Sequence, residues 1–173
     1  MDEVVAPAAR SLVLSVLAVA IAAVPGLPLA VLLGLSTSRW RHAALVAARI
    51  GMAVPTVAIG LVVYAMLTRY GPLGGLGLLY SPSAVILGQT MLAFPMLVAL
   101  GAAAVAGLDA RFAETVRSLR CTRGTAFRLA LSEARDGVLA AVLAAFARCV
   151  TELGIALLVV TSALSLLWFS RLP

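Results

Sequence analysis

The amino-acid sequence predicts an all-α integral membrane protein. Hydrophobic residues make up 63% of its 173 residues, the mean hydropathy is +1.12, and only 12% of residues are charged. Soluble domains carry roughly a quarter charged residues, so this chain is far too apolar for a water-soluble fold. Each of its four apolar stretches exceeds the roughly 20 residues that a membrane-spanning helix needs. We predict one domain with spans at residues 11–35, 44–68, 84–108 and 137–158.

The positions of the arginines predict how these spans are oriented. The chain has no lysine, and nine of its 13 basic residues fall within residues 39–49 and 111–135. Cytoplasmic loops of membrane proteins are enriched in arginine and lysine, so we place both segments in the cytoplasm and the N-terminus outside. A basic surplus that follows topology indicates membrane lipid as a partner and speaks against nucleic acid.

Prolines punctuate the first three spans. Residues 11–38 carry no charge, and their two prolines, Pro25 and Pro28, predict one kinked helix. Pro55 lies inside the second predicted span and Pro95 inside the third. We predict that both are helix kinks, because neighbouring helices can satisfy the carbonyl that each proline leaves free.

Residues 109–136 form a long polar run and predict two short cytoplasmic helices. The first would begin at Asp109 and carry Phe112, Val116 and Leu119 on one face. The second would be capped by Thr122. A basic, amphipathic pair of helices beside the membrane is typical of a docking surface for another protein.

Four polar side chains in the spans have two interpretations each. Arg148 and Glu152 are spaced i, i+4 in the fourth span, where an unpaired charge is costly. They are either an ion pair that fixes packing or a site along a translocation path. Gln89 and Thr90 of the third span either bind a neighbouring helix or line such a path.

Composition also limits the chemistry of this chain. The absence of lysine excludes a phosphate-binding Walker A loop, so we expect ATP hydrolysis to occur on a partner and no catalytic residues here. The single histidine, His42, cannot form a histidine pair for zinc within one chain. We therefore expect no metal site and no cofactor.

Several stretches resemble one family of membrane proteins. Residues 114–119 (ETVRSL) resemble the EAA loop of ABC importer permeases, and residues 147–154 (ARCVTELG) resemble the tungstate-type oxyanion permeases. The resemblance continues upstream in residues 53–61 (AVPTVAIGL), 71–74 (GPLG) and 88–95 (GQTMLAFP). Arg120 stands where the family has a glycine, and Thr115-Val116 stands for Ala-Ala.

The resemblance implies a type-I ABC importer permease-like helical bundle in the inner (plasma) membrane of a bacterium or archaeon. This subunit would import an oxyanion, tungstate before molybdate or sulfate, by alternating access. Its partners would be a cytoplasmic ABC ATPase, an extracytoplasmic oxyanion-binding protein and a second permease copy in a homodimer. The ATPase would dock on Arg111, Phe112, Glu114, Val116, Leu119, Arg120, Arg123 and Phe127.

Two further expectations concern the last membrane span and an alternative function. The family's chain continues into another span, so the bundle is expected to lack the last one, as a natural variant or a truncated frame. The alternative function is a non-transporting or truncated membrane adaptor whose basic loop recruits a partner. Without the resemblance, Glu114 could instead simply neutralise the arginines around it.

Overall fold

The computed structural model describes residues 2–78, 81–108, 112, 118 and 122–169, and the side chains of residues 8–78, 81–108, 112, 118, 122 and 124–152. All regular structure in this part of the chain is helical, as the sequence predicts. The helices are α1 (Asp2–Leu35), α2 (Arg39–Ala53), α3 (Thr56–Leu67), a short 3-10 helix (Gly74–Leu76), α4 (Pro82–Ala106), α5 (Arg123–Glu133) and α6 (Arg135–Phe169).

Helices α1 and α4 form the centre of the bundle and run in the same direction. Their contacts advance together, from Ser15 against Gln89 to Gly34 against Val105. Small residues let the two backbones approach closely. A Cβ atom added to Gly34 would lie 2.6 Å from the Cβ of Val105, and one added to Gly101 would lie 3.0 Å from the Cβ of Ala30.

Helix α6 packs on α4 in the opposite direction. Gly137 lies against Ala104, where an added Cβ atom would come within 2.6 Å. Twelve residues later, Cys149 lies against Gln89, which is 15 residues closer to the start of α4 than Ala104. The predicted order of crossings requires α1 and α4 to be parallel and α6 to oppose them, and the packing has this arrangement.

The chain breaks at Val54 and Pro55, which corrects the prediction of one kinked helix there. Both residues are extended, with ψ angles of 128° and 138°, and α2 and α3 meet at 97°. Proline has no N–H to donate and disfavours the helical conformation of the residue before it. Pro25 and Pro28 lie within the continuous α1, and Pro95 lies within α4, where the kink stays a prediction.

By length and composition, two stretches of the described chain could cross a membrane, Ala8–Leu35 and Pro82–Ala106, with a third if the bent α2–α3 pair is one span. The first two coincide with predicted spans. The crossing predicted for residues 137–158 falls inside α6, which continues to Phe169. That crossing and the one at residues 44–68 stay predictions.

The close α1–α4 packing generates a prediction about stability. Gly34→Ala should lower the thermal unfolding midpoint in detergent, because the new methyl group would overlap Val105; such overpacking typically costs about 1–3 kcal/mol. The matched control is Gly60→Ala in α3, where no atom lies within 4 Å of the added Cβ. Alanine is favoured over glycine in a helix by roughly 0.5–1 kcal/mol, so the control should be neutral or stabilising. Equal midpoints for both variants would contradict the packing described.

Candidate functional site

A polar cluster joins the three long helices about one third of the way along α1 and α4. Gln89 of α4 is only 7% exposed, and its Nε2 donates to the Oγ of Ser15 in α1 at 3.2 Å. The same Nε2 donates to the backbone carbonyl of Cys149 in α6 at 3.3 Å. A second contact joins the same two residues, since the Sγ of Cys149 donates to the backbone carbonyl of Gln89 at 3.7 Å. One amide therefore links α1, α4 and α6.

Thr90 strengthens the link between α1 and α4. Its Oγ1 donates to the backbone carbonyl of Ala18 at 3.3 Å. The contacts of Gln89 and Thr90 thus face neighbouring helices, which is the packing alternative of the two that the sequence left open. The Oε1 atom of Gln89 is buried without a hydrogen-bond partner among the described residues. A role for either residue in lining a path stays a prediction.

Arg148 and Glu152 form the ion pair that their spacing predicts. The Nη2 atom of Arg148 lies 3.8 Å from the Oε1 of Glu152, and the two side chains are 29% and 24% exposed. This separation is longer than a hydrogen bond. The Nε of Arg148 is buried and has no hydrogen-bond partner among the described residues. The Nε–H is therefore one of the five guanidinium donors that a ligand could use.

The position of Arg148 follows from its neighbour in the chain. The backbone of Cys149 is held against Gln89, so Arg148 lies at the same level of the bundle as the polar cluster. Thr151, between the two charged residues, is turned back onto its own helix, because its hydroxyl donates to the carbonyls of Ala147 and Arg148. The arrangement can present a partly covered cation to a small anion.

The second helix of the predicted docking segment is confirmed. Helix α5 begins after Thr122, whose Oγ1 accepts a hydrogen bond from the backbone N–H of Thr125 at 3.3 Å. Ala134 alone separates α5 from α6, and its side chain is buried. Because the connection is one buried residue, α5 of the predicted docking segment can move little relative to α6, the helix that carries Arg148.

Two aromatic residues of this segment lie against the chain's own helices. Phe112 and Phe127 are partly buried in a cluster with residues of α1, α4 and α6. Part of each aromatic ring therefore packs within this chain, and the docking role of Phe112 and Phe127 stays a prediction. Periodicity identifies the apolar face of α5, and Phe127 and Leu131 of this face are partly covered within the chain. The other buried members of the cluster are Val31, Val105, Ala130, Ala134 and Val138.

The other predicted docking residues lie mostly outside the described part of the chain. Arg111, Glu114, Val116, Leu119 and Arg120 lie outside the described residues, and for Arg123 only the backbone is described, at the start of α5.

Helix α5 also has an exposed surface that was not predicted from the sequence. Arg128, Leu129 and Ser132 are exposed on the side away from Phe127 and Leu131. Helical periodicity could have found them, since they alternate with the covered apolar residues. In the described residues, no three histidine, cysteine, aspartate or glutamate side chains could hold a metal ion.

The polar cluster generates a second stability prediction. Gln89→Leu should lower the thermal unfolding midpoint, because it removes two links between helices; each hydrogen bond inside a membrane protein contributes roughly 0.6–1.7 kcal/mol. Thr151→Ala is the matched control, since this hydroxyl binds only its own helix. A stable Gln89→Leu variant with altered anion uptake would instead assign Gln89 to a translocation path.

Comparisons with known proteins agree with this architecture. No family model matches the chain. A probable anion ABC transporter permease protein of Haloferax volcanii is 37% identical over 151 residues, which cover 87% of this chain and 65% of that protein. A tungstate uptake system permease protein of Peptoclostridium acidaminophilum is 31% identical over 149 residues, covering 86% of this chain and 65% of that protein.

A third relative is a probable molybdenum ABC transporter permease protein of Haloferax volcanii, 34% identical over 165 residues, which cover 91% of this chain and 60% of that protein. The chain spans less than two thirds of the length of each of these relatives. The resemblance drawn from the sequence is thereby confirmed: this chain is related to the permease proteins of anion ABC transporters, tungstate-type permeases among them.

Proposed function

We propose that this protein is the membrane permease subunit of an ATP-driven importer that carries an oxyanion, with tungstate favoured over molybdate and sulfate. The observation that carries the proposal is the partly covered guanidinium of Arg148, whose Nε has no partner among the described residues. The names of the relatives, which refer to anions, tungstate and molybdenum, support this choice of substrate.

The chemistry of an oxyanion suits this arginine. Crossing an apolar bundle removes water from the anion, so donors in the protein must replace the lost hydrogen bonds. A guanidinium offers a planar fork of N–H groups that binds two oxygen atoms of one anion at once. Thr151 offers no competing hydroxyl, because it is already bound to its own helix.

Glu152 serves as the resting partner of Arg148. At 3.8 Å the contact is loose enough for a dianion to displace it, and it can re-form when the anion leaves. The cation is then never left alone in a medium of low dielectric constant, which would be costly. Both residues of the pair are therefore needed in this account, Arg148 to bind and Glu152 to release.

ATP hydrolysis would occur on a separate cytoplasmic ABC ATPase docked on residues 109–136. Helix α5 is packed against α1, α4 and α6 and is joined to α6 through Ala134 alone. A displacement of α5 would therefore move α6. Arg148 lies 13 residues beyond the start of α6, roughly 20 Å along a helix that rises about 1.5 Å per residue. This link is the proposed route to alternating access.

The full transporter would contain two copies of this subunit and an extracytoplasmic oxyanion-binding protein, in the inner membrane. A symmetric dimer buries the same surface of both copies and would place the translocation path between them. A non-transporting adaptor is the competing outcome: it would bind the ATPase without supporting uptake.

The roles of Arg148 and Glu152 can be separated by substitution. Arg148→Leu should reduce tungstate uptake into vesicles that contain the ATPase and binding protein by about tenfold or more, since a charge-assisted hydrogen bond contributes roughly 1.5–3 kcal/mol. It should also lower the folded yield, because Glu152 loses its partner. Removing one partner of a fully buried pair lowers the free energy of unfolding by about 3–5 kcal/mol. The loss here should be somewhat smaller, because both side chains are partly exposed.

Adding Glu152→Leu to Arg148→Leu should restore folded yield and leave uptake low. Arg10→Leu is the matched control, since this exposed arginine of α1 forms no ion pair with a described residue. Normal uptake by Arg148→Leu would refute the binding role. Recovery of uptake in the double variant would show that the pair only stabilises helix packing and does not bind the anion.

The docking role of Glu114 has its own test. Glu114→Gln keeps size and removes the charge, so the stimulation of ATP hydrolysis by tungstate should fall towards the basal rate while insertion and dimerisation persist. Loss of one partner from a buried charged contact costs roughly 2–5 kcal/mol. Glu133→Gln, at the exposed end of α5, removes the same charge and should have little effect. Full stimulation in Glu114→Gln would show that this glutamate only neutralises nearby arginines.

A further inference from the structure

Helix α2 carries cations that nothing in the described chain neutralises. No aspartate or glutamate occurs between Val4 and Leu108 in the sequence. Among the described residues, Arg41 and Arg49 form no ion pair. The Nε of Arg41 is buried and has no hydrogen-bond partner there. Leaving a buried donor without an acceptor is costly, so an anion from outside the described chain would stabilise this arginine.

Both arginines line one groove of about 260 Å³, which lies between α2 and the link that joins α1 to α2. The other polar side chains that line it are those of Thr37, Ser38 and His42, and two apolar residues complete the lining. Each of these polar side chains can donate a hydrogen bond, and none of the lining residues is acidic. The chemistry of the lining therefore favours an anion as the ligand.

The start of α2 adds to the positive potential of this groove. Ser38 directly precedes the helix, and its side chain makes no capping hydrogen bond, so the hydroxyl remains available to a ligand. The first turn contains no acidic residue, and it contains Arg41. A helix N-terminus carries a partial positive charge, which favours anions and disfavours nearby cations. An anion in the groove would offset both the helix charge and the guanidinium charge.

The donor set matches a tetrahedral oxyanion with two negative charges. Two guanidinium groups balance this charge, and each can bind two oxygen atoms of one anion. The hydroxyls of Thr37 and Ser38 can donate to the remaining oxygen atoms. A carboxylate, or the phosphodiester of a lipid headgroup, has a single charge and would leave one arginine without a counter-ion.

The size of the groove is also compatible with such an ion. The groove encloses about 260 Å³, and a water molecule occupies about 30 Å³ in the liquid. One oxyanion therefore fits together with several water molecules. Water can bridge the ion to donors that it does not touch directly, and such bridges are nearly as favourable as direct hydrogen bonds.

The groove is separate from the polar cluster. Ser15 lies opposite Gln89, at the level of Arg148. Helix α1 continues for 20 residues beyond Ser15 before the link to α2 begins, which is roughly 30 Å at a rise of about 1.5 Å per residue. An ion in the groove is therefore out of reach of Arg148. Since residues 39–49 are predicted to face the cytoplasm, the ligand would come from that side.

We propose that this groove binds a free tetrahedral dianion, of the class of sulfate, hydrogen phosphate and tungstate, through Arg41 and Arg49, with Thr37 and Ser38 as further donors. The bound ion neutralises α2 ahead of the 97° break between α2 and α3. The proposal is independent of transport, since it requires neither the polar cluster nor an ATPase.

Binding of radiolabelled sulfate to the full chain tests the proposal. The chain carries Arg148→Leu and Glu152→Leu, which remove the proposed transport site, and it is placed in nanodiscs of phosphatidylcholine, a lipid without net charge. We expect one saturable sulfate site per chain when chloride salts hold the ionic strength constant. Sulfate should also raise the thermal unfolding midpoint, because a ligand that binds the folded state stabilises it. The parent chain is measured in parallel, so the groove variants can be compared in a chain with both residues intact.

Arg41→Gln and Arg49→Gln should each weaken sulfate binding at this site about tenfold or more, the effect of losing one charge-assisted hydrogen bond. Thr37→Val removes a hydroxyl at nearly constant size and should weaken binding by a smaller factor. The matched control is Arg39→Gln, which removes the same charge from the first turn of the same helix but does not line the groove. This control should bind sulfate like its parent.

A folded chain that binds no sulfate in either background would overturn the proposal, as would equal losses in Arg39→Gln and Arg41→Gln. Displacement of sulfate by chloride at the same ionic strength would do so too, because it would indicate unspecific attraction of anions. A last series includes phosphatidylglycerol in the nanodiscs, where the saturable site should persist. If phosphatidylglycerol abolishes the site, its ligand is a lipid headgroup and the assignment to a free dianion fails.

Discussion

The bundle depends on the hydrogen bonds that one buried amide makes to two other helices. Lipid offers no partner to a polar group, so each such group must be satisfied within the protein. The Nε2 of Gln89 meets this requirement by donating to Ser15 of α1 and to the carbonyl of Cys149 in α6, whereas its Oε1 has no partner among the described residues. This contact sets Ser15 of α1 opposite Gln89 of α4 and holds Cys149, and with it Arg148, at the same level of the bundle.

The same contact relates the two ends of the proposed mechanism. Helix α6 carries Arg148 beside the polar cluster, and its beginning is joined to α5 through one buried residue, Ala134. Phe112 and Phe127 pack the predicted docking segment against α1, α4 and α6. A partner that moves α5 therefore acts on a rigid helix whose far contact is Gln89. The loose 3.8 Å pair of Arg148 and Glu152 is the part of this arrangement best suited to rearrange.

Features that depend on residues close together in the chain could be predicted from the sequence. Apolar length identified the stretches now seen as α1 and α4, and Thr122 was identified as a cap because its hydroxyl acts within one turn. Prolines show where such local rules fail: Pro28 and Pro95 lie within helices, whereas Pro55 lies in the break directly before α3. Packing decides between these outcomes. The partners of Gln89 lie 74 and 60 residues away in sequence, and no single-sequence pattern pairs them. Likewise, periodicity found the apolar face of Phe127 without revealing what covers it.

The central claim is that the guanidinium of Arg148 binds the transported oxyanion, and nitrogen NMR of the arginine side chains tests it most directly. The purified chain, labelled with ¹⁵N-arginine in lipid nanodiscs, is titrated with tungstate, and the Nε resonance of Arg148 is identified by its loss in Arg148→Lys. The account predicts a saturable shift of this resonance with tungstate, none with chloride at the same ionic strength, and no matching shift of the exposed Arg10. An Arg148 resonance that does not move, or that moves equally with chloride, would contradict it.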